Sequence, residues 1–161
     1  MDGRAEWSRE RQAAAPRRMR QLDRAEALRL LGTVSLGRIV FTERALPAVR
    51  PVSHLLDGED IIVPIQDAGI LTSLTAPAEV PGVVVAYQAD AIDPVSHLGW
   101  SVVVTGFAEQ IEEGPHLTDR YHGQPRCWGA HLTPGTLRIR PDLVSGFWLS
   151  AESEAYRARS A

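Results

Sequence analysis

The sequence predicts a mainly β fold with short helices, in which about six strands close into a small barrel. The chain has 161 residues, 44% of them hydrophobic and 23% charged, which is typical of one globular domain. Short runs of β-branched residues alternate with Gly, Pro and Asp turn signals. Consecutive valines at 83–85 and 102–104 make two of these strands apolar on both faces, as strands buried on both sides are.

These apolar strands also predict that the outer wall of the barrel is covered. Helices or a second subunit can provide the cover. An apolar outer wall on so small a barrel favours a homodimer.

The two ends of the chain are predicted to lie outside the barrel domain, which spans residues 22–150. Residues 1–21 carry six arginines against three acidic residues and predict a flexible, Arg-rich tail. Such a tail can contact nucleic acid or acidic lipid, but a solvated end is the interpretation we favour. Residues 151–161 are polar and predict a loose C-terminal tail.

The first element of the domain is a short helix over residues 24–31. Asp23 is a good N-cap, and Glu26 three residues later completes a capping-box pattern. Three apolar side chains share one helical face: Ala25, Leu28 and Leu31.

A meander of three strands follows at 37–42, 46–56 and 60–65. Prolines in the second strand favour an edge position or a bulge, and Asp57-Gly58 is a tight-turn signal.

The second half of the domain alternates short helices with longer strands. Gly106 lies in the middle of the longest strand and predicts a bulge or bend. The elements are a helix at 67–76 that begins at Asp67, strands at 82–90 and 99–113, a helix at 115–122, and strands at 136–139 and 144–149.

Composition excludes several classes of function. All 17 basic residues are arginine, which excludes Schiff-base chemistry on a protein lysine and a Walker A phosphate loop. The single cysteine, Cys127, excludes internal disulfides and a four-cysteine zinc site. No apolar run approaches the roughly 20 residues that cross a bilayer, and the N-terminus has no signal-peptide core. We therefore expect a cytoplasmic protein without a membrane partner, and the net charge of -3 gives no general attraction to nucleic acid.

Three segments carry a resemblance to a known family: LDRAEALRLLGTVSLGRIVFT (22–42), PAVRPVSHLLDGEDIIV (47–63) and DPVSHLGWSVVVTGFAEQI (93–111). In order and spacing they resemble the pyridoxamine 5'-phosphate oxidase-like family of flavin-binding split β-barrels, in its short actinobacterial branch. The resemblance implies a six-stranded split β-barrel that forms a homodimer with two equivalent cofactor clefts at the subunit interface. Members typically bind flavin mononucleotide (FMN), and some bind a deazaflavin or haem.

The resemblance also implies where the cofactor lies. The isoalloxazine ring would lie along the second and third strands of the meander, where backbone groups can bond its polar rim. The residues that edge the ring would be Arg50, Pro51, Val52 and Ser53. Trp100 and Ser101 match positions that reach the cofactor, and Trp148 lies near the place of a C-terminal aromatic residue that closes the cleft.

The expected phosphate site departs from the family pattern. Members that hold the flavin phosphate place an Arg and a Thr at the end of the third strand and a Thr-Lys pair at the next helix start. The matching positions here are Pro64, Ile65, Gly69 and Ile70. A phosphate without a positive partner in a partly buried cleft is costly. The candidate substitutes are the helix amides after Asp67 (whose own charge would repel a phosphate), Thr72, Ser73, Arg50 and Arg38.

Several other polar residues have alternative interpretations. His54 is a candidate hydrogen-bond donor to the cofactor or an axial haem ligand, but we favour a strand histidine paired with the backbone or water. His97 is interpreted as a loop histidine. Arg138 and Arg140 form either a solvated strand face or a site for an acidic ligand. Four residues have a spacing loosely like that of metal ligands: His116, His122, Cys127 and His131. They lie in an irregular stretch, and we predict no metal site there.

The leading functional hypothesis is a flavin- or deazaflavin-dependent oxidoreductase that acts on a small organic substrate. The alternative is a non-redox protein on the same barrel that has lost the phosphate site and binds haem or another hydrophobic ligand. A DNA-associated regulator that uses the Arg-rich tail is disfavoured by the acidic charge elsewhere. No residue is assigned a catalytic role.

Overall fold

The computed structural model describes residues 17–76, 80, 82–112, 114–122 and 135–152. Cys127, His131 and most of both predicted tails lie outside these residues. The helices are α1 (Arg24–Leu31), α2 (Ala68–Ser73) and α3 (Pro115–His122). The strands are β1 (Arg17–Gln21), β2 (Leu36–Glu43), β3 (Leu46–Ser53), β4 (Leu55–Asp57), β5 (Asp60–Ile65), β6 (Val83–Ile92), β7 (Gly99–Ile111) and β8 (Gly135–Ala151).

The strands form one antiparallel sheet in the order β3-β2-β6-β7-β8-β5-β4, with β1 added beside β8. The two strands at the ends of this order, β3 and β4, are joined by the single residue His54. Because one residue links both ends, the sheet must curl on itself into a barrel. The protein is thus mainly β with short helices, as the sequence predicts.

The count of about six strands is not confirmed, because the described residues form eight. The predicted strand at 46–56 is interrupted at His54 and becomes β3 and β4. The predicted strands at 136–139 and 144–149 are one continuous strand, β8. Residues 17–21, expected in the tail, form β1 and pair with β8 from Arg17 opposite Ala151 to Gln21 opposite Phe147.

Helix α1 begins as expected but buries a different set of side chains. The Asp23 carboxylate accepts a hydrogen bond from the Glu26 backbone N–H at 2.8 Å. The Glu26 side chain, instead of reaching back to the cap, accepts two hydrogen bonds from Arg20 at 2.7 and 2.8 Å and so ties β1 to the helix. The buried residues of α1 are Ala27, Leu28, Leu30 and Leu31, whereas Ala25 is exposed.

The predicted bulge at Gly106 is confirmed. The register between β7 and β8 shifts between Thr105 and Gly106, so that Asp142 is the extra residue on β8. A Cβ at Gly106 would collide with the Arg140 carbonyl, so only glycine allows the two strands to approach here. The bulge lets β8 bend over its 17 residues and follow the curl of the sheet.

The barrel interior is a continuous apolar core beneath α1. Its fully buried members come mainly from five of the strands and include Ile39, Ile61, Ala89, Val104 and Ile139. A smaller cluster of Leu55, Ile62 and Leu117 lies beneath α3. Across the described part of the chain, no helix has the length and apolar character needed to cross a membrane.

The β2–β3 hairpin turn predicts a stabilising substitution. Its two turn residues, Arg44 and Ala45, have φ of 50° and 63°, a left-handed conformation that costs a residue with a Cβ roughly 1 kcal/mol. We expect Ala45→Gly to raise the free energy of unfolding by about 1 kcal/mol in chemical denaturation. Gly58, with φ of 63° and open space around its Cβ position, is the matched control. Gly58→Ala should lower stability by a similar amount, and a loss of stability in Ala45→Gly would contradict the prediction.

Candidate cofactor-binding site

The segment expected to edge the cofactor ring, Arg50 to Ser53, is the last half of β3. Strand β3 ends the sheet order, so among the described strands its only ladder partner is β2. Arg50 and Val52 lie opposite Ile39 and Gly37 of β2, on the face that looks towards the core. Pro51 and Ser53 therefore lie on the outer face. The outer side chains and the second edge of β3 are the parts of this segment that a planar ligand can approach.

His54 lies directly after this segment and is buried, with 1% of its surface exposed. Its backbone N–H donates to the Ser35 carbonyl at 2.9 Å. Its Nε2 is 3.0 Å from the Leu31 carbonyl oxygen at the end of α1, and its Nδ1 is 2.6 Å from the Tyr87 hydroxyl of β6. The expected pairing of His54 with the backbone is therefore confirmed, with Tyr87 as its second partner, but His54 lies between β3 and β4 and not within a strand.

These contacts determine the tautomer of the neutral His54 ring. A carbonyl can only accept, so Nε2 carries the proton and donates to Leu31, and Nδ1 accepts from the Tyr87 hydroxyl. Burial lowers the pKa of His54 below its ordinary value of 6.5, while the hydrogen bond to Leu31 acts in the opposite direction. A neutral ring with both nitrogens bonded has no lone pair left for a haem iron.

Tyr87 is a site residue that sequence reasoning missed. It is fully buried, and its ring meets that of His54 edge-on with centroids 5.1 Å apart. Gly37 makes room for it, since a Cβ there would collide with the Tyr87 hydroxyl. The one available signal was a tyrosine in the otherwise apolar row of alternate residues Val85, Tyr87 and Ala89, because a buried hydroxyl needs a hydrogen-bond partner.

The four positions expected at the phosphate lie together where β5 leads into α2. Pro64 and Ile65 end β5, and Ile65 is buried in the core. Gly69 and Ile70 lie in the first turn of α2. Their backbone N–H groups both donate to the Asp67 carboxylate, at 2.7 and 3.1 Å.

The side chains weighed as substitutes for the missing phosphate ligands are bonded elsewhere. The hydroxyls of Thr72 and Ser73 donate back to helix carbonyls, at 2.8 and 3.1 Å. Arg38 contacts Asp90 at 3.3 Å, and Arg50 lies 3.7 Å from Glu43. The described donor set at this position therefore does not fit a phosphate.

The three aromatic and hydroxyl positions expected near the cofactor lie at the other end of the β7–β8 pair. Trp100 is opposite Trp148, and Ser101 is opposite Phe147. Trp100 is 5% exposed and packs in the core, with Trp148 partly buried against the same core. Ser101 and Phe147 consequently lie on the outer face.

Within one chain, the structure does not bring the positions expected at the phosphate together with the Trp100, Ser101 and Trp148 positions. Pro64 pairs with Thr136, whereas Trp100 pairs with Trp148, twelve residues further along β8, or roughly 40 Å of strand contour. Ser53 and Ser101 share the outer face but are separated by β2 and β6 on the convex wall of the curled sheet. The strand pairing therefore brings no residue of one group beside a residue of the other in a single chain.

The remaining candidates are held by contacts of their own. His97 is exposed, with φ of 59°, in the β6–β7 hairpin, where hydrogen bonds from the Ser96 backbone and hydroxyl lower the pKa of Asp93. His116 lies 3.6 Å from Asp57, at the foot of α3. Arg138 Nε donates to Glu109 at 2.9 Å, and Arg140 lies 3.8 Å from the same carboxylate.

Comparison with known proteins gives one family. The profile of a family described as pyridoxamine 5'-phosphate oxidase matches residues 23–147. The uncharacterised protein Rv0080 of Mycobacterium tuberculosis is 41% identical over 147 residues, which cover 91% of this chain and 95% of that protein.

Two solved structures show a similar fold. A Corynebacterium glutamicum protein proposed to be a pyridoxamine 5'-phosphate oxidase is 24% identical with a TM-score of 0.65, covering 83% of this chain and 99% of that one. An FAD binding protein of Mycobacterium smegmatis is 20% identical with a TM-score of 0.59, covering 81% and 97%. At these identities the likeness concerns the split-barrel fold.

Proposed function

The chain belongs to the pyridoxamine 5'-phosphate oxidase family, and from this we propose that it binds the ring system of a flavin or deazaflavin and acts as an oxidoreductase on a small organic substrate. The FAD binding protein of similar fold supports flavin binding, and FMN is the form that the sequence resemblance implies. The observation that carries the proposal is the outer edge of β3, which ends the sheet order beside a rigid buried histidine.

The β3 segment suits a planar heteroaromatic ring. The backbone groups along the second edge of β3 are uncharged, which suits the polar rim of an isoalloxazine, although Pro51 supplies no N–H there and the Val49 carbonyl already accepts from Arg50. Pro51 stiffens the strand, and His54 holds its end against α1 and β6. A ring edge held in this way is preorganised before the ligand arrives.

We further propose that the working form is a homodimer. An apolar outer row crosses five strands in register through Val49, Val40, Ala86, Thr105 and Leu143. Val49 is 50% exposed and Leu143 is 67% exposed, so the row is uncovered in one chain. A second copy packed on this face would bury it and bring the partner's outer Ser101 face towards the Ser53 segment.

In such an enzyme the cofactor and the protein have separate roles. A bound flavin supplies hydride-transfer chemistry. The chain binds and orients the ring through β3, and the dimer seam excludes water from it. Near the ring edge, His54 is locked between two partners and Arg50 lies beside Glu43, so no described side chain there is assigned as a catalytic acid or base.

The visible spectrum of the purified protein tests the proposal. We expect absorption in the blue from a retained flavin or, in colourless protein, micromolar binding on titration with riboflavin, FMN or a deazaflavin. Binding of none of these below millimolar concentration would refute it.

An apolar-ligand protein on the same barrel is the second candidate. The replacement of phosphate ligands by Pro64, Ile65 and Ile70 favours it, because none of these residues carries a charge and the partly exposed Pro64 and Ile70 suit an uncharged ligand. A Soret band in the same spectrum would identify haem, and its iron would need a ligand other than His54, whose two nitrogens are bonded.

A further inference from the structure

We infer that the β5–α2 junction rejects a phosphate, so that this protein binds riboflavin more tightly than FMN. The inference rests on the proposed flavin binding and specifies which form of flavin the site accepts. It follows from the donor set where β5 meets α2.

The last two residues of β5 offer an anion neither a cationic side chain nor a hydroxyl. Pro64 has no backbone N–H, and the side chain of Ile65 is buried in the apolar core. Neither residue can replace the charge-assisted hydrogen bonds that an Arg would give to a phosphate.

The helix side is already occupied by a carboxylate of the chain itself. Asp67 accepts hydrogen bonds from the N–H groups of Gly69 and Ile70, two of the first-turn amides that an incoming phosphate could use. The phosphate would have to displace this cap and would then lie beside its negative charge. Both effects disfavour FMN relative to riboflavin, whose ribityl chain ends in a neutral hydroxyl.

Among the described residues, the four side chains considered as substitutes do not offset this repulsion. The Thr72 and Ser73 hydroxyls donate to α2 carbonyls. The two arginines considered as substitutes, Arg38 and Arg50, lie beside Asp90 and Glu43. A phosphate would have to break an internal contact to gain any of these partners.

Titration of the full-length protein with riboflavin and with FMN, followed by quenching of flavin fluorescence, tests the inference. We expect the Kd of riboflavin to be at least about tenfold lower than the Kd of FMN. Asp67→Asn keeps a capping side chain but removes the charge, so FMN binding should tighten about three- to tenfold while riboflavin binding stays constant. Asp142→Asn, the same charge change at an exposed position on β8, should alter neither Kd.

The outcomes separate this inference from the proposed function. If FMN binds as tightly as riboflavin or more tightly, the inference is refuted and flavin binding stands. The inference is also refuted if the ratio of the FMN Kd to the riboflavin Kd is the same in Asp67→Asn as in the wild type. If neither flavin binds, the inference fails together with flavin binding itself.

Discussion

Replacing His54 with alanine is expected to lower the free energy of unfolding by about 3 kcal/mol, a large part of the stability of a domain this size. The loss has two causes. A cavity opens where α1, β3 and β6 meet, and both the Leu31 carbonyl and the Tyr87 hydroxyl lose their hydrogen bond to His54. Urea denaturation measures the effect. Tyr87→Phe removes only the hydroxyl and should cost about 1–2 kcal/mol.

The contribution of His54 should also depend on pH. Its native pKa is lowered by burial, so the unfolded chain takes up the proton first, near pH 6.5. The stability from the neutral ring is therefore complete above pH 6.5 and declines as the pH falls from 6.5 towards the native pKa, by at most about 1.4 kcal/mol per pH unit.

A non-titrating variant isolates this effect from the other histidines. The stability difference between wild type and His54→Gln should shrink between pH 7 and pH 5, while Tyr87→Phe, which keeps the imidazole, should retain a pH dependence. A difference that is constant over this range would show that His54 titrates alike in the native and unfolded states.

Introducing charge into the apolar outer row is expected to dissociate the homodimer. In Val49→Glu/Leu143→Glu, each carboxylate would be buried twice in a twofold interface, which should weaken association about a thousandfold. Both positions are at least half exposed in one chain, so the barrel itself should stay folded. Sedimentation should show a 17.6 kDa monomer in place of a particle of twice that mass.

Flavin binding should be lost with the dimer if the site combines β3 of one chain with the Ser101 face of its partner. Val95→Glu provides the control, because Val95 is 88% exposed at the tip of the β6–β7 hairpin and lies outside the row. It should leave both the mass and flavin binding unchanged. A monomeric wild type, or a double variant that stays dimeric, would contradict the proposed assembly.

Elements with local signals were predictable from the sequence. The Asp23 cap, the Asp57-Gly58 hairpin turn and the Gly106 bulge all depend on residues a few positions apart, and the structure has each of them. Strand β1 had no such signal. All five of its residues are exposed, and it is held by pairing with β8 and by the contact of Arg20 with Glu26.

Part of the candidate site was likewise predictable from the sequence, and part was not. The sequence alone indicated a mainly β domain of this family and showed uncharged residues without hydroxyls at the positions expected near a phosphate, Pro64, Ile65, Gly69 and Ile70, because residue types and turn signals are local properties. Only the tertiary structure decided that Tyr87 bonds His54, 33 positions away, and that Trp100 faces the core while Ser101 faces outward. Alternation separates the two faces of an apolar strand, but only the curl of the sheet determines which face lies inside.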